Sequence, residues 1–179
     1  MSSSVLILPG LGNSGPQHWQ SLWENAHPDF SRVQQSDWDN PVCAEWVAAL
    51  ETAVERVGSQ VVLVAHSLAC LTIAHWAAKP HSPAAGALLV AVPDRDGPNW
   101  PAQIAGFGET PMLRLPFPST VVISSNDSYG SPLHSEQLAR AWGSRIAHIG
   151  NRGHINADSG LGIWMEGFDL LEQLRVDPC

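Results

Sequence analysis

The stretch VVLVAHSLA, residues 61–69, determines the fold that we predict for this chain. Its first five residues are apolar and do not alternate with polar residues, which is typical of a strand buried on both faces of a sheet. From residue 68 to about residue 78, apolar side chains recur at the three- and four-residue spacing of a helix. The sequence therefore predicts a buried strand that turns into a helix at Ser67.

Similar segments lie on both sides of this stretch. Continuous apolar runs occupy residues 5–8, 86–92 and 120–124, and we predict a further short strand at residues 145–149. Segments with helical spacing occupy residues 43–57, 133–142 and about 160–174. Because strands alternate with helices, the pattern predicts an α/β fold, with an open, mostly parallel sheet and helices on both of its faces.

Length and composition limit the class of protein. The chain has 179 residues and a mass of 19.3 kDa, with no internal repeat or long linker, so we expect a single domain over residues 1–179. Nine Lys and Arg against seventeen Asp and Glu give a net charge of −8, and basic residues form no cluster. We therefore expect neither nucleic acid nor an anionic membrane as a partner.

The N-terminal residues and the cysteines favour the cytoplasm. The start, MSSS, has no positively charged segment, and only four apolar residues follow before Pro9, so we expect no signal peptide. Cys43, Cys70 and Cys179 are an odd number without the C-x-x-C spacing of a metal site, which predicts free thiols. Neither composition nor charge indicates the oligomeric state.

Three polar residues follow three different predicted strands. Ser67 follows the strand at residues 61–65, Asp127 follows residues 120–124, and His154 follows residues 145–149 within a glycine-flanked loop. In open parallel sheets, ligands bind at the carboxyl ends of the strands. We therefore expect these three side chains at one edge of the sheet.

Each of the three residues has an ordinary structural interpretation when it is considered alone. Ser67 fits a helix N-cap, Asp127 fits a turn, and His154 fits a solvated loop. Together, however, they follow the chain order serine, acid, histidine that is found in α/β-hydrolase triads. An imidazole activates a serine hydroxyl by removing its proton, and a carboxylate orients the imidazole. The pattern predicts Ser67, Asp127 and His154 as a catalytic triad, with Asp94 as the alternative acid.

The loop after the first strand, GLGNSG at residues 10–15, is a candidate oxyanion site. In such sites two backbone N–H groups stabilise the negative oxygen of the tetrahedral intermediate. We assign these donors to Leu11 and Leu68, with Gly12 as the alternative to Leu11. We also place Gly10 and Gly12 among the substrate-binding residues, because glycine leaves room for a substrate.

Parts of the sequence are also compatible with other sites and functions. The loop at residues 10–15 also matches the G-x-G-x-x-G fingerprint of dinucleotide enzymes, but Pro16 does not fit the helix that opens within that fingerprint, so we expect no cofactor. His66, His75 and His81 lack the spacing of metal ligands, so we expect no metal. Eight tryptophans leave open a non-catalytic protein-interaction module with exposed aromatic anchors.

Residues 93–118 form the only long segment without predicted strands or helices, and the segment is rich in apolar side chains. It is a candidate wall for an apolar pocket, with Trp100 as a substrate-binding residue. The alternative is that the same apolar side chains pack against the sheet.

The chain resembles the small serine hydrolases related to human retinoblastoma-binding protein 9 and the bacterial YdeN-type proteins, a compact branch of the α/β-hydrolases. The residues that carry the resemblance are LPGLGNS at 8–14 with His18 and Trp19, VAHSL at 64–68, SND at 125–127 and GHIN at 153–156. The resemblance implies an α/β-hydrolase fold without a separate cap domain, with Ser67 as nucleophile, Asp127 as acid and His154 as base. Ala69 stands where the family commonly has glycine.

The expected function is a serine hydrolase that cleaves small carboxylic esters or amides through an acyl-enzyme. The alternative is a catalytically weak or inactive protein of the same fold that acts as an interaction module.

Overall fold

The computed structural model describes residues 3–80 and 82–176 of the chain. Along the chain these residues form β1 (Ser4–Leu8), α1 (Trp19–Ala26), β2 (Phe30–Arg32), α2 (Cys43–Val57), β3 (Val61–His66), α3 (Leu68–Ala77), β4 (Gly86–Val90), β5 (Ser119–Ile123), α4 (Pro132–Trp142), β6 (Arg145–His148), a short 3-10 helix (Ala157–Ser159) and α5 (Met165–Val176). The six strands form one sheet in the order β2-β1-β3-β4-β5-β6, and every neighbouring pair is parallel.

The two faces of the sheet carry separate hydrophobic cores. Leu6 and Leu63 point to one face, where they pack with side chains of α2, α3 and α4. Their neighbours Val5 and Val62 point to the other face and pack with α1 and α5. Because successive strand side chains alternate between faces, a strand covered on both faces is apolar at every position. The predicted parallel α/β sheet with helices on both faces is confirmed, and the described residues contain no separate cap.

β2 and the start of the last helix differ from the sequence prediction. The edge strand β2 was not predicted, since it has only three residues and follows Pro28 and Asp29 in a polar stretch. The last helix was predicted from about residue 160, but α5 begins at Met165. Gly160 and Gly162 have left-handed backbones, with φ of 64° and 58°, and this conformation interrupts a right-handed helix.

The tryptophans belong mainly to the hydrophobic cores. Six of the eight are at most 4% exposed, and the other two, Trp38 and Trp100, are half-buried. The hypothesis of a protein-interaction module depended on exposed tryptophans. Because the eight tryptophans are buried or half-buried, they do not form such exposed anchors.

Cys43 and Cys70 are buried free thiols, and burial raises the pKa of Cys43 to about 11. Cys179 and His81 lie outside the described residues. In the part of the chain that the structure describes, no helix is both long enough and apolar enough to cross a membrane.

Candidate active site

The carboxyl ends of β3, β5 and β6 bring Ser67, Asp127 and His154 into one hydrogen-bonded chain. The His154 Nε2 atom lies 2.8 Å from Ser67 Oγ. On the other side of the ring, His154 Nδ1 lies 2.9 and 3.0 Å from the two carboxylate oxygens of Asp127. A carboxylate only accepts hydrogen bonds, so Nδ1 carries the proton, and Nε2 is left to accept the Ser67 hydroxyl hydrogen.

The Ser67 backbone is in a conformation that non-glycine residues rarely adopt. Its φ is 55° and its ψ is −125°, between the end of β3 and the start of α3. The side chain makes no capping hydrogen bond to α3, so the alternative interpretation of Ser67 as an ordinary N-cap does not describe this turn. Ala69 is already the second residue of α3 and needs no glycine conformation.

Gly10 allows the loop after β1 to lie directly against this turn. A Cβ atom at Gly10 would be 3.0 Å from the His66 carbonyl oxygen, 3.0 Å from Ser67 Cβ and 3.4 Å from the Leu68 nitrogen. The first loop therefore lies beside the backbone N–H of Leu68, and both Leu11 and Leu68 line the cavity in front of Ser67.

The hydrogen bonds of the loop distinguish Leu11 from Gly12 as a donor. The Gly12 N–H donates to the Trp38 carbonyl oxygen at 2.8 Å, so it is occupied. Among the described residues, the N–H groups of Leu11 and Leu68 donate to no backbone or side-chain acceptor. Two free N–H groups at one cavity are the arrangement that an oxyanion site requires.

Three aromatic N–H groups fix the loop that carries His154, and sequence reasoning missed all three. His66 Nε2–H donates to the carbonyl oxygen of His154 itself at 2.8 Å. The indole N–H groups of Trp19 and Trp23, both on α1, donate to Ile155 at 2.8 Å and to Ile163 at 2.5 Å. Burial lowers the pKa of His66 well below its usual value, so His66 stays neutral.

The acid in contact with His154 is Asp127. Its side chain is 3% exposed, and it also accepts a hydrogen bond from the Tyr129 N–H at 2.9 Å. The alternative acid, Asp94, lies 3.7 Å from His134 and accepts from the backbone of Asp96. The geometry therefore leaves Asp127 as the only one of the two candidates beside His154.

A cavity of about 280 Å³ opens in front of Ser67. Its apolar wall consists of Leu11, Leu68, Pro93, Trp100, Pro101 and Ile104, and its polar residues include Asn13, His18 and Asn156. The long segment at residues 93–118 thus has both of the roles considered for it. Its first part lines the cavity, whereas Phe107, Leu115 and Phe117 are buried in the core.

Gln20 connects the first loop to the central strand. This polar side chain is fully buried, and its amide nitrogen donates to the carbonyl oxygens of Leu8 and Val64, both at 3.1 Å. Its amide oxygen accepts from the Ser14 hydroxyl at 2.7 Å. Sequence reasoning did not single out Gln20, because a glutamine on a helix is usually exposed.

His18 is a second polar residue that the sequence analysis did not assign to the site. It is the N-cap of α1, where its Nδ1 accepts from the Gln20 N–H at 3.2 Å, and only 4% of it is exposed. Burial, and then the positive charge of Arg32, lower the pKa of His18 from 6.5 to about 4.

The alternative cofactor and metal sites do not have the expected geometry. In a dinucleotide fingerprint the helix opens within the glycines, whereas α1 begins at Trp19, four residues after Gly15. His66 lies at the cavity, and His75 lies on α3 against Phe107. Among residues 3–80 and 82–176, no three potential ligands from histidine, cysteine, aspartate and glutamate are grouped closely enough to bind a metal ion.

The parallel sheet, with a serine at the turn between a strand and a helix, defines an α/β-hydrolase. A family model described as serine hydrolase matches residues 5–173, and the chain belongs to this family. No protein with a curated description matches the chain.

Solved structures agree with this assignment. A YdeN-like hydrolase of Pectobacterium atrosepticum is 30% identical, with a TM-score of 0.83 over 96% of this chain and 90% of that chain. The ydeN gene product of B. subtilis is 19% identical, with a TM-score of 0.81 over 98% and 100% of the two chains. A monoacylglycerol lipase of Paleococcus ferrophilus, 13% identical, shares the fold with a TM-score of 0.74 over 96% and 93%.

The buried His18 predicts a loss of stability in acid. Its pKa is about 4 in the folded chain against 6.5 when exposed, so only the unfolded chain binds a proton between these values. The free energy of unfolding therefore falls as the pH drops from about 6.5 to 4, by about 3 kcal/mol from this residue. We expect His18→Asn, which keeps an N-cap acceptor but cannot titrate, to remove that part of the pH dependence.

Urea unfolding of both proteins at several pH values between 7.5 and 4 measures the effect, and circular dichroism at pH 7.5 checks that the variant is folded. An equal pH dependence for the wild type and His18→Asn would contradict the prediction.

The close approach of Gly10 to the Ser67 turn predicts that this glycine cannot be replaced without strain. In Gly10→Ala the new methyl group would force the first loop or the turn to move, and overpacking of this kind costs about 1–3 kcal/mol. Gly108→Ala is the matched control, because a Cβ there meets no atom within 4 Å. Urea unfolding compares the two variants, and equal stability would show that Gly10 is not constrained.

Proposed function

We propose that this serine hydrolase cleaves small carboxylic esters or amides through an acyl-enzyme formed on Ser67. The observation that carries the proposal is the unbroken hydrogen-bonded chain from Ser67 Oγ through His154 to Asp127, with separations of 2.8 and 2.9 Å, at a cavity. The strained Ser67 backbone and the lack of a capping bond support it, because they leave the hydroxyl free to react.

In the proposed acylation, Ser67 Oγ attacks the substrate carbonyl carbon while His154 Nε2 takes the hydroxyl proton. Asp127 accepts from Nδ1–H throughout, which keeps the ring oriented and stabilises its positive charge. The tetrahedral intermediate then breaks the bond to the leaving group, which takes the proton from Nε2. A carboxyl ester of Ser67 remains.

Deacylation repeats these steps with water as the nucleophile. His154 removes a proton from the water, hydroxide adds to the acyl carbon, and collapse of the intermediate returns the proton to Ser67 Oγ. The acid product leaves and the enzyme is restored. In both tetrahedral intermediates the N–H groups of Leu11 and Leu68 would donate to the negative oxygen, a contact whose loss commonly costs on the order of a hundredfold in turnover.

Structural neighbours with named activities agree with this reaction class. They include an esterase of Thermogutta terrifontis and the monoacylglycerol lipase mentioned above. At 15% and 13% identity these neighbours share the fold, and they support hydrolysis as the reaction class of this chain.

Replacement of Ser67 tests the nucleophile. We expect Ser67→Ala to lower kcat/KM for 4-nitrophenyl acetate by about a thousandfold or more, because triad residues act as a unit. It should also abolish labelling by a fluorophosphonate probe, which reacts with activated serines, as measured by intact mass. Ser59→Ala changes an exposed serine and serves as the control. Equal labelling of the folded wild type and Ser67→Ala would refute the assignment.

The two candidate acids can be separated by a matched pair of amide substitutions. Asp127→Asn keeps the size of the side chain but removes the charge that stabilises the His154 cation, so we expect kcat to fall by several orders of magnitude. Asp94→Asn should keep activity within about threefold of the wild type, since Asp94 does not touch His154. If Asp94→Asn were the more damaging change, the acid would be misassigned.

A further inference from the structure

The cavity wall is without ionic side chains apart from the proposed triad. Among the described residues that line it there is no lysine, arginine, aspartate or glutamate. Six of the lining residues are leucine, isoleucine, proline or tryptophan, and the polar ones are amides, tyrosine and histidine. A binding site for a carboxylate, phosphate or ammonium group normally presents a charge of opposite sign.

The histidines at the cavity, other than His154, do not supply the missing charge. His18 and His66 are 4% and 5% exposed, and burial lowers the pKa of both below the usual range. His66 also uses its Nε2–H for the carbonyl oxygen of His154, so this donor is not available to a substrate.

One cation behind this wall, Arg32, is already paired. Arg32 lies behind Asn13 and donates to the Asn13 side-chain oxygen at 2.7 Å and to the Ser14 carbonyl oxygen at 3.0 Å. Its guanidinium is paired with Glu24 at 2.6 Å, and only 11% of the Arg32 side chain is exposed. The pair therefore presents no unbalanced charge to a ligand.

The proposed chemistry divides the cavity into two parts. The leaving group must take its proton from His154 Nε2, so it lies beside His154 and its chain neighbours Asn156 and Ala157. The acyl group stays on Ser67 and therefore lies against the rest of the cavity wall. Trp100, Pro101 and Ile104 belong to this part of the wall. This wall is apolar and packs against the core behind it.

We propose, building on the function proposed above, that the substrate is uncharged and carries a short apolar acyl group that lies against Trp100, Pro101 and Ile104. The cavity of about 280 Å³ is at the small end of ligand pockets, which typically measure roughly 300–1,000 Å³. An acyl group that ends in a carboxylate or an ammonium would lose water at this wall and gain no group of opposite charge in return.

Three esters with the same leaving group and six-carbon acyl chains test the selectivity. They are 4-nitrophenyl hexanoate, the mono-4-nitrophenyl ester of adipic acid and 4-nitrophenyl 6-aminohexanoate. We expect kcat/KM for the neutral ester to exceed that of both charged esters by about a hundredfold. Rates with Ser67→Ala are subtracted as the background of uncatalysed hydrolysis.

The two charged esters also separate this proposal from the effect of the net charge of −8. A long-range field from the negative chain would disfavour the anionic ester and favour the cationic one, and salt would screen it. A neutral wall disfavours both charged esters. The preference for the neutral ester should therefore persist in 0.5 M NaCl. Hydrolysis of either charged ester within threefold of the neutral ester would overturn the proposal.

A positive charge placed in the cavity wall should provide a partner for the carboxylate of the adipate ester. We expect Ile104→Arg to raise kcat/KM for the adipate ester at least tenfold relative to the hexanoate ester. Leu113→Arg, in the same chain segment but 61% exposed and outside the cavity, makes the same charge change and should leave the ratio unchanged. Pro101→Arg is the second variant if Ile104→Arg does not fold.

Fluorophosphonate labelling keeps the two proposals distinguishable. A folded wild type that is not labelled refutes the proposed function, and the substrate proposal fails with it. Labelling at Ser67 together with equal hydrolysis of all three esters refutes the substrate proposal alone. A ratio that rises equally in Ile104→Arg and Leu113→Arg would show that the wall does not select the acyl group.

Discussion

The strained turn at Ser67 is the constraint on which the arrangement of the site depends. Its φ of 55° and ψ of −125° place the serine in a region that costs about 1–3 kcal/mol for a residue with a side chain. Packing maintains it, because β3 behind it and α3 in front of it are both buried. The sharp change of direction ends the strand, starts the helix and directs the hydroxyl toward His154 instead of the helix terminus.

The segments that meet at this turn come from distant regions of the chain. Buried polar side chains hold these segments in place through hydrogen bonds. Gln20 donates to the carbonyl oxygens of Leu8 and Val64 and accepts from the Ser14 hydroxyl, and so joins the first loop to β1 and β3. His66, directly before Ser67, donates to the backbone of His154. An unpaired carbonyl oxygen would be costly at these buried positions, so the hydrogen bonds restrict the backbone to one arrangement. The histidine loop is therefore held in part by side chains of α1 and β3.

The sequence patterns predicted the layers of the fold well and the edges less well. Continuous apolar runs found the buried strands, since a strand covered on both faces has no polar positions. They missed β2, where three residues at the edge of the sheet follow a proline and an aspartate, and the strand forms through its pairing with β1. The start of α5 was misplaced because Trp164, Gly160 and Gly162 have left-handed backbones that helical spacing does not reveal.

What the sequence by itself determined is local: the alternation of strands and helices, and the positions of Ser67, Asp127 and His154 after three strands. Tertiary structure decided which candidates meet. In the folded chain Asp127 contacts His154, whereas Asp94 contacts His134. The N–H of Gly12 donates to Trp38. Residues 93–118 contribute partly to the core and partly to the cavity wall. Tertiary structure also placed His18, Gln20 and His66 at the site. The physical reason is that periodicity records which side chains are buried, whereas hydrogen-bond partners depend on contacts between residues far apart in the chain.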